Sequence, residues 1–313
     1  MLLFEELCIA CEARAVCKYS KIKIDLNTDN ALARLIKLVE KKKKILEFGC
    51  ATGYVSKLLR EEFDCSVTGV EIDSEAAREA EKYCERVIVG NMEEMNYAKV
   101  LGNEKYDIVI FGDVLEHLKD PAKILMAIRP FLSDFGYILA SIPNIAHISV
   151  VLELLDGKFD YRTLGLLDEK HLRFFTKGSI ASLFRSTGYE IALWDRVMKR
   201  PEDTEFQTIL EKYPQSLLSF LKRHGEAQTY QFIVKAVPVE NRVNGTLGSE
   251  TEKTIIEEFQ NRINELEIII RKLKMDFAVK EAALNSVFSS WSWRITTPFR
   301  GLYRLVIKVC GRR

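Results

Sequence analysis

A chain of 313 residues has room for one large domain or two smaller ones. Hydrophobic residues make up 47%, and 46 basic residues nearly cancel 45 acidic ones. That balance excludes a disordered, highly charged chain and a protein that coats nucleic acid over its whole surface. The charge is unevenly spread: residues 1–238 carry 33 basic and 36 acidic side chains, residues 239–313 carry 13 and 9. Cys8 and Cys11 form a CxxC with Cys17 nearby, but no second pair of ligands follows. A structural zinc site takes four ligands, so no metal is expected and a reduced, cytoplasmic chain is the simpler reading. Leu2, Leu3 and Phe4 run straight into Glu5 and Glu6, so no signal peptide is expected. No stretch approaches the ~20 apolar residues of a membrane span.

The first helical spacing falls at 31–40, through Leu32, Leu35, Ile36 and Val39. Lys44–Phe48 reads as a short apolar strand, Gly49–Gly53 as a turn, and Tyr54–Glu62 as a helix. Strands at 66–71 and 86–89 flank a helix at 74–84. Tyr106–Phe111 (YDIVIF) is a nearly continuous apolar run, as in strands buried on both faces. A helix over 121–132 opens on Pro121, and a strand over 137–141 stops before Pro143. From 145 to 175 the pattern loosens into helical fragments, carrying His147 and His171. A helix at 176–186, a strand at 190–196, mixed helix over 205–222 and a strand at 229–237 complete the series. Strands alternating with helices predict an α/β fold: a doubly wound, seven-stranded, mostly parallel sheet.

Residues 1–238 are thus expected to form one domain and 239–249 a linker. From Ile256 to Phe277 apolar residues step by three then four, and after Lys280 the series resumes at Leu284 and Val287. That is an a/d seam, so 250–287 is expected to be a coiled coil that makes a homo-oligomer. Residues 288–313 hold Trp291, Trp293, six basic residues and no acid. This composition suits an amphipathic tail on an anionic membrane surface, here the inner face, and it is too short and charged to span. No nucleic-acid partner is expected.

Gly49 and Gly53 flank a strand-to-helix turn, where glycine brings backbone N–H groups close to a ligand. Glu71 ends the next strand, where a carboxylate can accept from ribose hydroxyls. Neither GxxxxGK[ST] nor GxGxxG is present, so phosphate and pyrophosphate cradles are disfavoured. Glu47 stands two residues before Gly49; a carboxylate there suits a positively charged cofactor.

Glu47-Phe-Gly49-Cys-Ala51-Thr-Gly53 resembles the first motif, E/D-x-G-x-G-x-G, of the class I S-adenosylmethionine-dependent methyltransferases, with Ala51 at the middle glycine. Val70-Glu71-Ile72-Asp73 is similar to that family's acidic second-strand motif. Asn91, with Met92 after it, stands where the family usually has an adenine-contacting aspartate. Tyr106–Leu118, with Asp113, Glu116 and His117, resembles the fourth strand and its loop. Ser141-Ile-Pro143-Asn144 and His171–Thr176 resemble later motifs of the ubiquinone-biosynthesis branch. The resemblance covers about residues 25 to 238. It implies S-adenosylmethionine as cofactor, bound by Glu47, Gly49, Ala51, Gly53, Glu71, Ile72, Asn91, Met92 and Asp113.

An alcohol acceptor must lose a proton, and histidine is the usual base. His117 stands just after the fourth strand, on the rim where such sheets bind ligands; His171 and His147 are the other candidates. Glu116 reads as a helix-terminal residue. The tail string Ser-Trp293-Arg-Ile-Thr-Thr-Pro298-Phe-Arg300 resembles tails on bacterial enzymes of surface-polysaccharide assembly. The acceptor is accordingly expected to be a sugar hydroxyl or other polar group of a glycan or glycolipid. A small aromatic or quinone-like hydroxyl is the alternative enzyme reading, and a non-catalytic cofactor-binding scaffold the third.

Overall fold

The structure, a computed structural model, describes residues 24–239 together with Met275. The CxxC, the coiled coil expected at 250–287 apart from Met275, and the basic tail expected at 288–313 lie outside the described residues.

A seven-stranded mixed sheet forms the centre. Its strands are β1 (Lys44–Phe48), β2 (Ser66–Glu71), β3 (Arg86–Val89), β4 (Tyr106–Gly112), β5 (Leu132–Pro143), β6 (Tyr189–Met198) and β7 (Thr229–Pro238). Their order is β3-β2-β1-β4-β5-β7-β6. β1 pairs parallel with both β2 and β4, whereas β7 runs antiparallel between β5 and β6. The central strands are the apolar ones. Ile108, Val109, Ile110 and Phe111 of β4 are all buried, because helices cover both faces of the sheet.

The helices are α1 (Ala31–Ile36), α2 (Tyr54–Phe63), α3 (Ser74–Ala80), α4 (Tyr97–Leu101), α5 (Pro121–Ile128), α6 (Ile148–Leu155), α7 (Lys177–Ser186) and α8 (Gln215–Lys222). Side chains close their first turns: Asn30 caps α1, Asp73 caps α3, Asp120 caps α5 ahead of Pro121, and Thr176 with Ser179 forms a capping box on α7. The helix expected to 132 ends at Ile128, because Pro130 cannot donate into an α-helical ladder and a 3₁₀ turn, Arg129–Phe131, takes over. β5 then starts earlier than expected, at Leu132, with its register shifted between Tyr106 and Ile108 of β4. α4 falls in a stretch to which the sequence reading assigns no element. It is five residues long and rests on an Asn96 cap, too little for a periodic signal.

The strand order reverses between β1 and β4, and open α/β sheets bind ligands at the carboxyl ends of strands at that switch point. Among the described residues, no helix is long and apolar enough to cross a membrane.

Candidate active site

A cleft of 740 Å³ opens above the ends of β1, β2 and β4. One wall is the turn that follows β1. Gly49 (φ +66°), Ala51 (φ +48°) and Gly53 (φ +76°) all take left-handed backbone. This coils the chain tightly enough for Gly49 N and Cys50 N both to donate to Val70 O, at 2.8 and 3.2 Å. Gly53 has no room for a side chain: a Cβ there would lie 2.8 Å from Ala80 Cα. Glycine is needed at that point, whereas Ala51 tolerates its conformation at some cost.

Glu71 organises the adjoining wall. Its Oε2 accepts from Ala51 N at 2.8 Å; its Oε1 accepts from Ile72 N and Asp73 N at 2.9 and 3.0 Å. Three of the four lone-pair directions of the carboxylate are taken, leaving one facing the cleft for a hydroxyl. Beside it Ile72 is 65% exposed, unusual for a large aliphatic side chain, and presents an apolar surface to the cleft together with Met92. A carboxylate acceptor beside an uncovered apolar face is the pairing that a ribose and a flat heterocycle require. The residues present therefore fit an adenosine-bearing cofactor.

On the acceptor side, the residue after β4, Asp113, takes φ +54° and receives the Ser141 hydroxyl at 2.6 Å and the Gln231 amide. The 3₁₀ turn Leu115–His117 follows. It places Glu116 and His117 on the cleft wall, and the segment 164–171 brings Leu164, Leu166, Asp168, Lys170 and His171 opposite them. Two bonds fix this approach: Leu172 N and Arg173 N both donate to Glu116 O at 2.9 Å.

His117 Nδ1 lies 3.0 Å from Lys170 O, and His171 Nδ1 lies 3.3 Å from Leu166 O. A carbonyl only accepts, so in the neutral rings Nδ1 carries the proton and Nε2 is the free acceptor on each. Burial, and secondarily the positive charge that His117 would carry, lowers the pKa of His171 and favours its neutral ring. Glu116 is 1% exposed and both its carboxylate oxygens lack a partner. Burial, reinforced by Asp113, raises its pKa well above the ordinary range, so it stays protonated. Glu116, His117 and His171 each bring a ligand atom within 4.8 Å of the others. These three ligand atoms stand close enough to share one divalent cation, which would require Glu116 to give up its proton. The sequence offered no metal pattern, because these ligands are far apart along the chain.

The cleft wall thus gathers Gly49, Ala51, Glu71, Ile72, Met92, Asp113, His117 and His171. Four residues singled out in the sequence stand elsewhere. Gly53 supports the turn from behind. Glu47 points into the core, 4% exposed, and accepts from Ser56 Oγ at 2.5 Å. Burial pushes its pKa up to about 8, so it is largely protonated and does not present the expected charge to the cleft. Asn91 caps its own turn: Oδ1 accepts from Glu93 N and Nδ2 donates to Glu94 Oε1, both at 3.0 Å. His147 is fully buried; its Nδ1 accepts from Ser149 N at 3.2 Å, and Nε2 donates to Lys199 O at 3.0 Å. With Nδ1 committed as the cap of α6 and Nε2 to Lys199 O, it has no ring nitrogen left for an acceptor. Glu116, Tyr230 and Gln231 are wall residues that sequence reasoning did not assign to the site. Only the position of Glu116 beside His117 could have signalled one of them.

Sheet order, glycine turn and second-strand acid are together those of the Rossmann-like, class I methyltransferase fold. A family model described as a methyltransferase domain matches residues 24–193, more than half of the chain, and the chain belongs to that family. It is 23% identical over 153 residues to a ubiquinone biosynthesis O-methyltransferase of Nitrosomonas europaea, covering 47% of this chain and 63% of that protein. A ubiquinone biosynthesis O-methyltransferase of Paraburkholderia phymatum is 24% identical over 149 residues, covering 47% and 64%. The match spans less than two thirds of the length of these relatives. Among solved structures, a SAM-dependent methyltransferase of Archaeoglobus fulgidus superposes with TM-score 0.48 at 15% identity, over 66% of this chain and 91% of that one.

Proposed function

We propose that the chain transfers a methyl group from S-adenosylmethionine to a hydroxyl of an acceptor held between β4 and the segment 164–171. The observation that carries this reading is the sharing of one cleft by the cofactor turn and two imidazoles with free Nε2 atoms. The cofactor supplies a sulfonium-bound methyl group, an inherently good electrophile. The protein has to hold the acceptor oxygen in line with it and accept the hydroxyl proton. His117 is the more exposed of the two rings and takes the proton at Nε2. His171, edge to face against it, excludes water and fixes its orientation. Protonated Glu116 beneath them can donate to the acceptor or to an imidazole.

The acceptor we favour is a sugar hydroxyl of a glycan or glycolipid precursor. The acceptor-side wall offers Asp113, Asp168, Lys170 and Gln231, a polar set suited to a polyol. A small aromatic hydroxyl is the second reading. It is favoured by Phe159, Tyr161 and Phe174, whose rings meet at 5.7 to 6.5 Å, with Phe174 also against His171 at 6.3 Å. The O-methylation named for the relatives agrees with either. The pattern at 250–287 supports self-association and the composition of 288–313 supports peripheral contact with an anionic membrane. The deciding experiment is methyl transfer from labelled cofactor to glycan, glycolipid and quinol fractions. Label entering a glycan or glycolipid supports the first reading, and label entering only quinols supports the second. No transfer to any pool, with cofactor binding intact, would favour the scaffold.

A further inference from the structure

We infer that Glu205, a residue behind the cleft wall, is a positioning residue that clasps the acceptor-side segment and sets the orientation of His171. This rests on the reading of the cleft as a methyl-transfer site. Glu205 lies in the connection between β6 and α8 and does not line the cleft. Its side chain reaches two elements that do. Oε1 accepts from Leu166 N at 2.6 Å, and Oε2 accepts from the Tyr230 hydroxyl at 2.8 Å. Its main-chain oxygen accepts from Arg162 Nη1 at 3.1 Å, at the other end of the same segment. One residue thus ties the loop 162–168 to β7.

The fit between loop and carboxylate is close. Gly165 takes φ +97°, and a Cβ on it would lie 2.1 Å from Glu205 Oε1. A side chain at 165 would displace the carboxylate, so the loop is shaped to receive it. The consequence for the site runs through a single residue. Leu166 is held at its N–H by Glu205, and its carbonyl is the acceptor for His171 Nδ1. That bond keeps the His171 proton on Nδ1 and its Nε2 lone pair available to the cleft. Release of Leu166 N leaves its carbonyl free to turn, and the ring then loses its anchor. The phenol of Tyr230, held protonated by burial and by the Glu205 charge, completes the clasp as a donor.

The test uses the full chain with ¹⁵N-labelled histidine. Long-range ring correlations report the tautomer of His171, and amide exchange reports the Leu166 N–H bond. Glu205→Ala should mix the two tautomers of His171 and speed exchange at Leu166 about 10- to 100-fold, as expected for losing a charge-assisted bond. Glu205→Gln keeps an acceptor oxygen and should restore both signals. Gly165→Ala should reproduce the Ala effect with Glu205 still present, and it carries the test should Glu205→Ala fail to fold. An unchanged His171 tautomer with protected Leu166 in these variants would overturn the inference, as would a Gln variant that behaves like Ala. Cofactor affinity of the wild-type chain, measured by calorimetry on the same preparation, stands apart from these signals. Its absence would sink the methyl-transfer reading while leaving the clasp directly measured.

Discussion

The rings of His117 and His171 meet edge to face with centroids 4.9 Å apart, although 54 residues separate them along the chain. The contact exists because Glu116 O receives both Leu172 N and Arg173 N, which folds the acceptor-side segment back onto the turn after β4. Each imidazole donates from Nδ1 to a backbone carbonyl and turns Nε2 toward the cleft.

From this arrangement the two histidines have separable effects. His117→Ala should lower turnover about 10²- to 10⁴-fold with cofactor affinity unchanged. His171→Ala should lower it less, by about tenfold, since His171 buttresses the ring that takes the proton. His147→Ala should destabilise by about 1 kcal/mol through loss of the α6 cap, while turnover per folded molecule persists. Turnover with labelled cofactor and thermal melting separate these outcomes. Wild-type turnover in His117→Ala would remove it from the role of base.

Glu71 carries a different prediction. Its carboxylate joins three backbone N–H groups of two strand ends and faces the cleft with the remaining lone pair. Glu71→Gln should weaken S-adenosylmethionine binding about 10- to 100-fold, the usual worth of a hydrogen bond to a charged group. Calorimetry with the cofactor and with its demethylated product should show parallel losses. Equal affinity in wild type and variant would place the ribose elsewhere.

Gly53 tests the turn rather than the ligand. Gly53→Ala puts a Cβ 2.8 Å from Ala80 Cα on a left-handed residue, so α2 and α3 must part. A loss of about 1–3 kcal/mol in urea unfolding is expected, the range for strained backbone together with overpacking. A loss below about 0.5 kcal/mol would mean that the turn relaxes freely.

How much of this could be read beforehand follows from distance along the chain. Gly49, Gly53 and Glu71 were legible because a strand, a turn and the next strand lie within 30 residues and each has a motif. The core strands were legible because burial on both faces makes them uniformly apolar. The pairing of His117 with His171 was not, since it depends on a loop whose path no periodicity encodes. Asn91 illustrates the opposite failure: its position matched a family pattern, but a local bond to Glu93 N engages the side chain. His147 stood beside a recognisable motif and proved to be a cap, a role that a single polar residue before an apolar run can always have. Glu47 kept its place in the motif, and only burial shows that its charge is suppressed.

That suppression makes stability depend on pH. An unfolded Glu47 loses its proton near 4.5, while the folded, buried carboxyl holds it to about 8. Between these values the folded state binds more protons than the unfolded one, so stability falls as pH rises. The contribution is complete below the unfolded pKa and is lost progressively up to the folded one, at roughly 1.4 kcal/mol per pH unit. Glu47→Gln keeps the shape of the protonated acid and an acceptor for Ser56 Oγ, but cannot ionise. The variant should therefore gain on wild type steadily from pH 5 to pH 7.5, by on the order of 2–3 kcal/mol in total, and the two should level off above pH 8. Glu116 pulls in the same direction in both proteins, so the difference between them isolates Glu47. Urea unfolding at half-unit pH steps measures it. A constant difference across that range would mean that Glu47 ionises normally in the folded chain, and that its burial behind the cofactor turn is relieved by water.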